Sequence, residues 1–412
     1  MQKNILEDFR KRGILKQISN EDKFNNLKPN SGVYIGFDPT AQSLHLGNYI
    51  QIVNLLRFKS YGFKVYAVLG GATGMIGDPS FKDSERKLLD NQTILNNKKH
   101  IKQQLEKFGL EVIDNYDFYK NTTFLDFLRD AGKLVNISYM LAKDSISKRI
   151  NSGLSFTEFT YTLIQGWDFL TLYKNYGVQV QFGGSDQWGN ITTGLDMISK
   201  VEGDKHTAVA GTFNLLTDEN GNKFGKSTGG GSLWLDKNMN SPYNLYQFLL
   251  NQSDAKVEEL LKWLTLLSLE EIEQTMQQHN LNPSLRVAQK KLAFEVVKDV
   301  HDKKEATKAF NISQILFNKK FDIYSLSLQE LEELKDNLKF LQWPKQHNIV
   351  ELLISNQIVK SKREVREFIA TQALKLNDLP IDESTLLTTD KFENKYAILK
   401  KGKKDIFVIE LI

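Results

Sequence analysis

His45 and Asn48 stand three residues apart in His45-Leu-Gly47-Asn48, at the start of a helical pattern and shortly after Gly36-Phe-Asp38-Pro39-Thr40. Residues at this spacing share a helix face, and a first helical turn offers backbone N–H groups and the positive end of the dipole to a phosphate. Gly47 lets a planar base or a phosphate approach the backbone. A second string, Lys223-Phe-Gly225-Lys226-Ser227 with Gly229, Gly230 and Gly231 behind it, puts two lysines on a glycine-hinged loop. Such lysines can swing in and neutralise a leaving pyrophosphate as its charge builds. Two commoner nucleotide loops are excluded. In Gly71-Ala-Thr-Gly74-Met-Ile-Gly77 the glycines recur every third residue, which is not the GxGxxG of a dinucleotide fold, and only three residues separate Gly221 from Gly225 where a Walker A loop needs four.

The elements that must carry these strings alternate. Short apolar runs, Val33 to Phe37, Val65 to Leu69 and Val178 to Phe182, are interleaved with helical patterns and Gly-containing loops, which predicts an α/β fold with a parallel sheet and its ligands at the carboxyl edge. This first domain is expected over residues 1–230, with the Lys223 loop at its end. From Ser241-Pro242 the apolar residues adopt helical spacing, as in Val257, Leu260, Leu261 and Leu264, and Ser268 with Glu271 has the spacing of a capping box. A helical domain is expected over 231–320, a polar linker over 321–346, and a small α+β unit over 347–412. In that unit Ile349 to Ile354 and Glu364 to Ile369 suggest helices, Ala373 to Leu376 a strand, and Tyr396 to Leu399 with Ile406 to Ile409 a hairpin.

Composition narrows the chemistry. The chain has no cysteine, which excludes disulfides, thiol nucleophiles and thiolate metal sites, and fits a reducing compartment. A net charge of +4 means that any nucleic-acid contact must come from local patches. Residues Met1 to Arg10 include Glu7 and Asp8 and read neither as a signal nor as a transit peptide, and no apolar stretch is long enough to span a bilayer. The expectation is a soluble cytoplasmic protein.

With GFDPTAQSLHLGN, GGATGMIGDPS, SFTEFTYTLIQGWDF, GGSDQWGNIT and KFGKS in this order, the chain resembles the bacterial-type tyrosyl-tRNA synthetases, a family of class I aminoacyl-tRNA synthetases, over essentially its whole length. The resemblance implies a Rossmann-like catalytic domain, a helical anticodon-side domain and a small RNA-binding domain. It places Tyr34 and Asp168 around the phenol of tyrosine, and Asp78, Tyr161 and Gln165 around its ammonium. It places Gly36, Asp38, Gly47, Gly184, Asp186 and Gln187 around ATP, with Lys226. Thr40, His45, Lys82, Arg86, Lys223 and Lys226 are the implied phosphate grips, joined in the catalytic set by Asn48 and Ser227, and Mg²⁺ would arrive on ATP, with no metal held by the protein itself. The phenol assignment agrees with elementary chemistry. A phenol hydroxyl both donates and accepts, so one carboxylate and one tyrosine hydroxyl satisfy it, while phenylalanine would strand both.

The sequence departs from the family at three points. Asn48 stands where a second histidine is frequent and cannot carry charge; Ser227 replaces a frequent threonine; Asn377-Asp378 replaces an Asn-Gly turn. In the last unit Lys362, Arg363 and Arg366 can share a helical side, and Lys400, Lys401, Lys403 and Lys404 crowd a hairpin tip, which makes them candidate RNA contacts. The implied partners are L-tyrosine, ATP and tRNA(Tyr), and the implied assembly is a homodimer. A tryptophanyl-tRNA synthetase is the near alternative, an HxGH-type nucleotidyltransferase a more distant one, and an RNA-binding paralogue without turnover the non-enzymatic one.

Overall fold

Two runs, β2 (Gly32–Phe37) and β3 (Lys64–Leu69), are buried along nearly their whole length, as strands must be when helices cover both faces of a parallel sheet. They pair in parallel from Gly32↔Lys64 to Phe37↔Leu69. The computed structural model describes the chain except for residues 1–3, 79–88, 144–145, 148–149, 151–152, 220–223, 225–232, 319–321, 336–337 and 403–404. Contact density divides the chain into a first unit, Met1–Asn240 with Gln252–Leu292, and a second, Ser241–Asn251 with Ala293–Ile412.

In the first unit β1 (Leu15–Ile18), β4 (Glu111–Asp114), β5 (Val178–Gly184) and β6 (Val209–Phe213) join β2 and β3 in the order β1-β6-β5-β2-β3-β4. Only β1 is antiparallel to its neighbour. The chain progresses from β2 outward to β4, then returns to β5 on the other side of β2. Such a switch leaves a crevice at the carboxyl ends of the two central strands, because their connections depart to opposite sides. The register marks where it opens. Gly32↔Val178, Val33↔Val180 and Tyr34↔Gln181 pair, and the ladder then ends although the strands run on to Phe37 and Gly184.

Two helices bring side chains to that crevice. Leu46–Ser60 follows β2, and its apolar residues are buried nearly all round. Phe156–Tyr176 is capped by Ser155 and ends on Gly177, whose φ of 66° is the left-handed conformation glycine adopts without penalty, so that β5 starts at once. Tyr161, Gln165 and Asp168 lie at i, i+4 and i+7 on this helix and therefore share one face. The helix Asp254–Leu264 belongs to the same unit, and the buried Arg57, near the far end of Leu46–Ser60, donates to its terminal carbonyls at Lys262, Trp263 and Thr265. This one buried guanidinium, which also donates to Asn54, ties the helix to the one that starts at the crevice.

The second unit has a sheet of β7 (Lys339–Trp343), β8 (Leu374–Leu376), β9 (Leu379–Pro380), β10 (Tyr396–Lys401) and β11 (Asp405–Leu411), ordered β7-β11-β10-β8-β9. The expected hairpin is present, antiparallel from Tyr396↔Glu410 to Lys401↔Asp405. Period-two alternation sends Ala397 and Leu399 to a core with the helices Ile349–Ser355 and Lys362–Ala370, while Tyr396 and Ile398 face Ile312, Ile323 and Leu331. The segment 321–346 is therefore not a linker. Its helix Leu328–Glu333 covers the second face, and β7 pairs in parallel with β11. The helical domain expected over 231–320 is likewise corrected. The helices and the Ser268–Glu271 capping box form as expected, but Ser241–Asn251 and the residues from Ala293 belong with this sheet. Asn377 and Asp378 both take positive φ, 50° and 64°, as a two-residue hairpin turn requires.

Candidate active site

The crevice contains a cavity of roughly 410 Å³, lined from the carboxyl ends of β2, β3 and β5 and from both helices. At its deepest side Tyr34 packs edge-on against Phe169, and its hydroxyl is buried without a hydrogen-bond partner. Burial, then the neighbouring Asp168, push its pKa far above the usual phenol value, so it stays a donor at any physiological pH. Asp168, 3% exposed, accepts from the Tyr119 hydroxyl at 2.5 Å and from the Asn115 amide at 2.8 Å. Burial raises its pKa to about 7 against the pull of those two donors. An unsatisfied hydroxyl and a buried carboxylate facing one space suit a ligand group that both accepts and donates.

Nearer the opening the cavity is acidic. Asp38 accepts from Thr73 at 2.7 Å and from Tyr161 at 2.9 Å, and Gly70 makes room for it, since a Cβ there would lie 2.0 Å from Asp38 Oδ1. Asp78 accepts from Gln187 at 2.7 Å, and Gln187 is in turn held by Asn190 at 3.2 Å. Gln165 lines the same wall. Fixed carboxylates around a small space favour an ammonium group.

At the other end His45 is the N-cap of Leu46–Ser60 in a reciprocal capping box. Its Nδ1 accepts from the Asn48 backbone N–H at 3.3 Å, and Asn48 Oδ1 accepts from the His45 N–H at 3.1 Å. The cap fixes the neutral imidazole tautomer, with Nε2 as its N–H donor. It also uses the Asn48 backbone N–H that the sequence offered to a phosphate, so a hydrogen bond from Asn48 to a ligand must come from Nδ2. Thr40, Gly36, Gly47, Gly184 and Asp186 line this end, and a Cβ at Gly36 would meet nothing within 4 Å. Phe224 lines it too, but Lys82, Arg86, Lys223, Lys226 and Ser227 lie outside the described residues.

The cavity thus gathers every described residue that the sequence assigned to tyrosine and ATP. Sequence reasoning missed Thr73, Asn115, Tyr119 and Gln181. Asn115 directly follows β4 at the carboxyl edge, and Gln181, 2% exposed, interrupts the apolar run of β5, so both carried a positional signal. Tyr119 carried none. Among the RNA candidates, Arg363 pairs with Glu367, Arg366 with Glu383 and Lys400 with Asp378, and Lys401 donates to the Ile358 carbonyl. Lys362 is exposed, and Lys403 and Lys404 lie outside the described residues.

Residues 26–318 match the family model for class I tRNA synthetases (W and Y), and residues 330–409 match that of the tyrosine–tRNA ligase SYY-like C-terminal domain. The chain is similar to the tyrosine–tRNA ligase of Mycoplasmopsis agalactiae, at 58% identity over 410 residues, covering 99% of this chain and 100% of that one. It is similar to that of Mycoplasmopsis synoviae at 56% over 407 residues, 99% of each. Among solved structures, a C-terminally truncated mitochondrial tyrosyl-tRNA synthetase from Aspergillus nidulans aligns with a TM-score of 0.70 at 32% identity, over 76% of this chain and 94% of that one. With its switch-point cavity and these matches, the chain belongs to the tyrosine–tRNA ligases of the class I aminoacyl-tRNA synthetases.

Proposed function

We propose that the cavity holds L-tyrosine with its phenol at Tyr34 and Asp168 and its ammonium among Asp78, Tyr161 and Gln165, with ATP over Gly36, Gly47, Gly184 and Asp186. The chain is a tyrosine–tRNA ligase. The observation that carries the residue assignment is the buried, unpartnered Tyr34 hydroxyl beside Asp168, a donor and an acceptor for one phenol. The tyrosine carboxylate is ionised at neutral pH and attacks the α-phosphate in line. A bond forms between its oxygen and that phosphorus, the bond to pyrophosphate breaks, and no general base is required. A ribose hydroxyl at the end of tRNA(Tyr) then attacks the acyl carbon, and AMP leaves. Tyrosine-dependent exchange of labelled pyrophosphate into ATP tests this directly. Exchange with tyrosine alone is expected, whereas equal exchange with tryptophan would overturn the assignment.

The phosphates need cations from elsewhere. The described cavity lining includes Asp38, Asp78, Asp168 and Asp186 but neither lysine nor arginine. Lys82, Arg86, Lys223 and Lys226 fill this role, and Mg²⁺ arrives on ATP; no cluster of three or more metal-ligating side chains occurs among the described residues. Lys226→Ala is expected to slow adenylate formation by more than about tenfold while leaving tyrosine affinity nearly unchanged, as single-turnover kinetics would read it. Comparable loss of tyrosine binding would contradict a role on the leaving group.

The working form is a cytoplasmic homodimer. The exposed apolar side chains of Phe124, Leu125, Ile137 and Phe156, each at least 67% exposed, support a covering partner copy. The last domain binds RNA through Lys362, Arg363, Arg366 and the basic hairpin tip, whose exposed ion pairs are weak enough to exchange for phosphate.

A further inference from the structure

A buried carboxylate that serves a ligand must be held in place and in one protonation state. Asp168 is held from behind on both oxygens, by Asn115, which lines the cavity, and by Tyr119, which does not. Tyr119 follows the turn Asn115–Phe118 and packs edge-on against Phe127 at 5.9 Å. Its hydroxyl lies 2.5 Å from Asp168 Oδ1 and 2.9 Å from the Ile164 carbonyl. A hydroxyl has one proton, so the two contacts are alternatives. With Asp168 ionised, the proton goes to Oδ1. With Asp168 protonated, the acid donates to the Tyr119 oxygen and the Tyr119 proton turns to Ile164. Either state leaves Asp168, Asn115 and Tyr119 hydrogen-bonded to one another.

We propose that Tyr119 is a positioning residue for substrate recognition: without touching tyrosine, its hydroxyl holds Asp168 as the ionised acceptor for the substrate phenol, and it turns to the Ile164 carbonyl when the acid is neutral. The inference rests on the assignment of the phenol to Asp168. The surroundings make this hold matter. Burial is the largest influence on Asp168, Asp38 after β2 and Asp114 at the end of β4 also disfavour its charge, and Asp114 is itself paired with Lys98. Tyr34, from β2, faces the same carboxyl. Against these, the donors Tyr119 and Asn115 keep its pKa down at about 7, so losing one of them favours the neutral acid at pH 7.

The test is Tyr119→Phe in the full chain, which keeps the ring and its packing. Tyrosine-dependent exchange is followed from pH 6 to pH 9, and tyrosine affinity without ATP is measured by calorimetry at both ends. The acid limb of kcat/KM for tyrosine is expected to move up by about one pH unit. At pH 7 the tyrosine KM should rise roughly fivefold and recover towards the wild-type value by pH 9, with kcat and the ATP KM within about twofold. A profile that superimposes on the wild type overturns the proposal, and so does a loss equal at every pH, which a purely structural tyrosine would give. If the wild-type chain shows no tyrosine-dependent exchange, the cavity assignment fails first and separately.

Discussion

In an Asp168→Asn variant, kcat/KM for tyrosine is expected to fall roughly a hundredfold, because a charge-assisted hydrogen bond to the phenol becomes a neutral one in a buried site. The same change is expected to stabilise the free protein, increasingly so as the pH rises. The amide fits the existing frame: its oxygen accepts from Asn115 and its NH₂ donates to the Tyr119 oxygen, whose proton moves to Ile164. The carboxyl has a folded-state pKa of about 7, against about 3.9 in an unfolded chain. Because the folded value is the higher one, the stability that Asp168 contributes is complete below about pH 4 and is lost as the pH rises through about 7. The loss amounts to no more than about 4 kcal/mol for so buried a group. The difference in melting temperature between variant and wild type should therefore widen between pH 5 and pH 8, by the equivalent of about 2 kcal/mol. A constant difference across that range would mean that the site does not strain against the charge of Asp168.

A site that resists its own functional charge is also one that a sequence conceals in part. The strand, the Gly-containing loop and the helix start are local, and their residues announced both the parallel sheet and the edge where ligands bind. Tyr161, Gln165 and Asp168 fall on one face by helical spacing alone. What fixes the state of Asp168 is not local. Asn115 and Tyr119 lie on the connection after β4, some fifty residues before it by the sequence separations of 53 and 49, and only the folded sheet brings them together. The misread linker has a similar cause. β7 is a short edge strand of five residues, none of them fully buried, and its partner β11 follows 68 residues later in the pair Gln342–Glu410. Helical periodicity, too, reports that 241–317 is helical without saying which sheet or helices each segment covers. Pro242–Leu250 accordingly joins a unit whose other residues begin at Ala293.

His45 combines a structural and a chemical task, and the two can be separated. His45→Ala removes an N-cap, which costs about 1 kcal/mol of stability, and removes the Nε2–H that the capping box aims by fixing the tautomer. Stabilisation of phosphate charge by one oriented donor in a water-poor cavity is commonly worth about a hundredfold in kcat. Adenylate formation is therefore expected to slow about a hundredfold, with tyrosine KM within about threefold, since the phenol and ammonium ends of the cavity are untouched. Serine caps a helix well but cannot reach as far as an imidazole. His45→Ser should consequently regain most of the melting temperature lost in His45→Ala while remaining as slow. If serine restores the rate along with the stability, His45 acts only by starting the helix, and the backbone N–H groups that remain in its first turn carry the phosphate interaction by themselves.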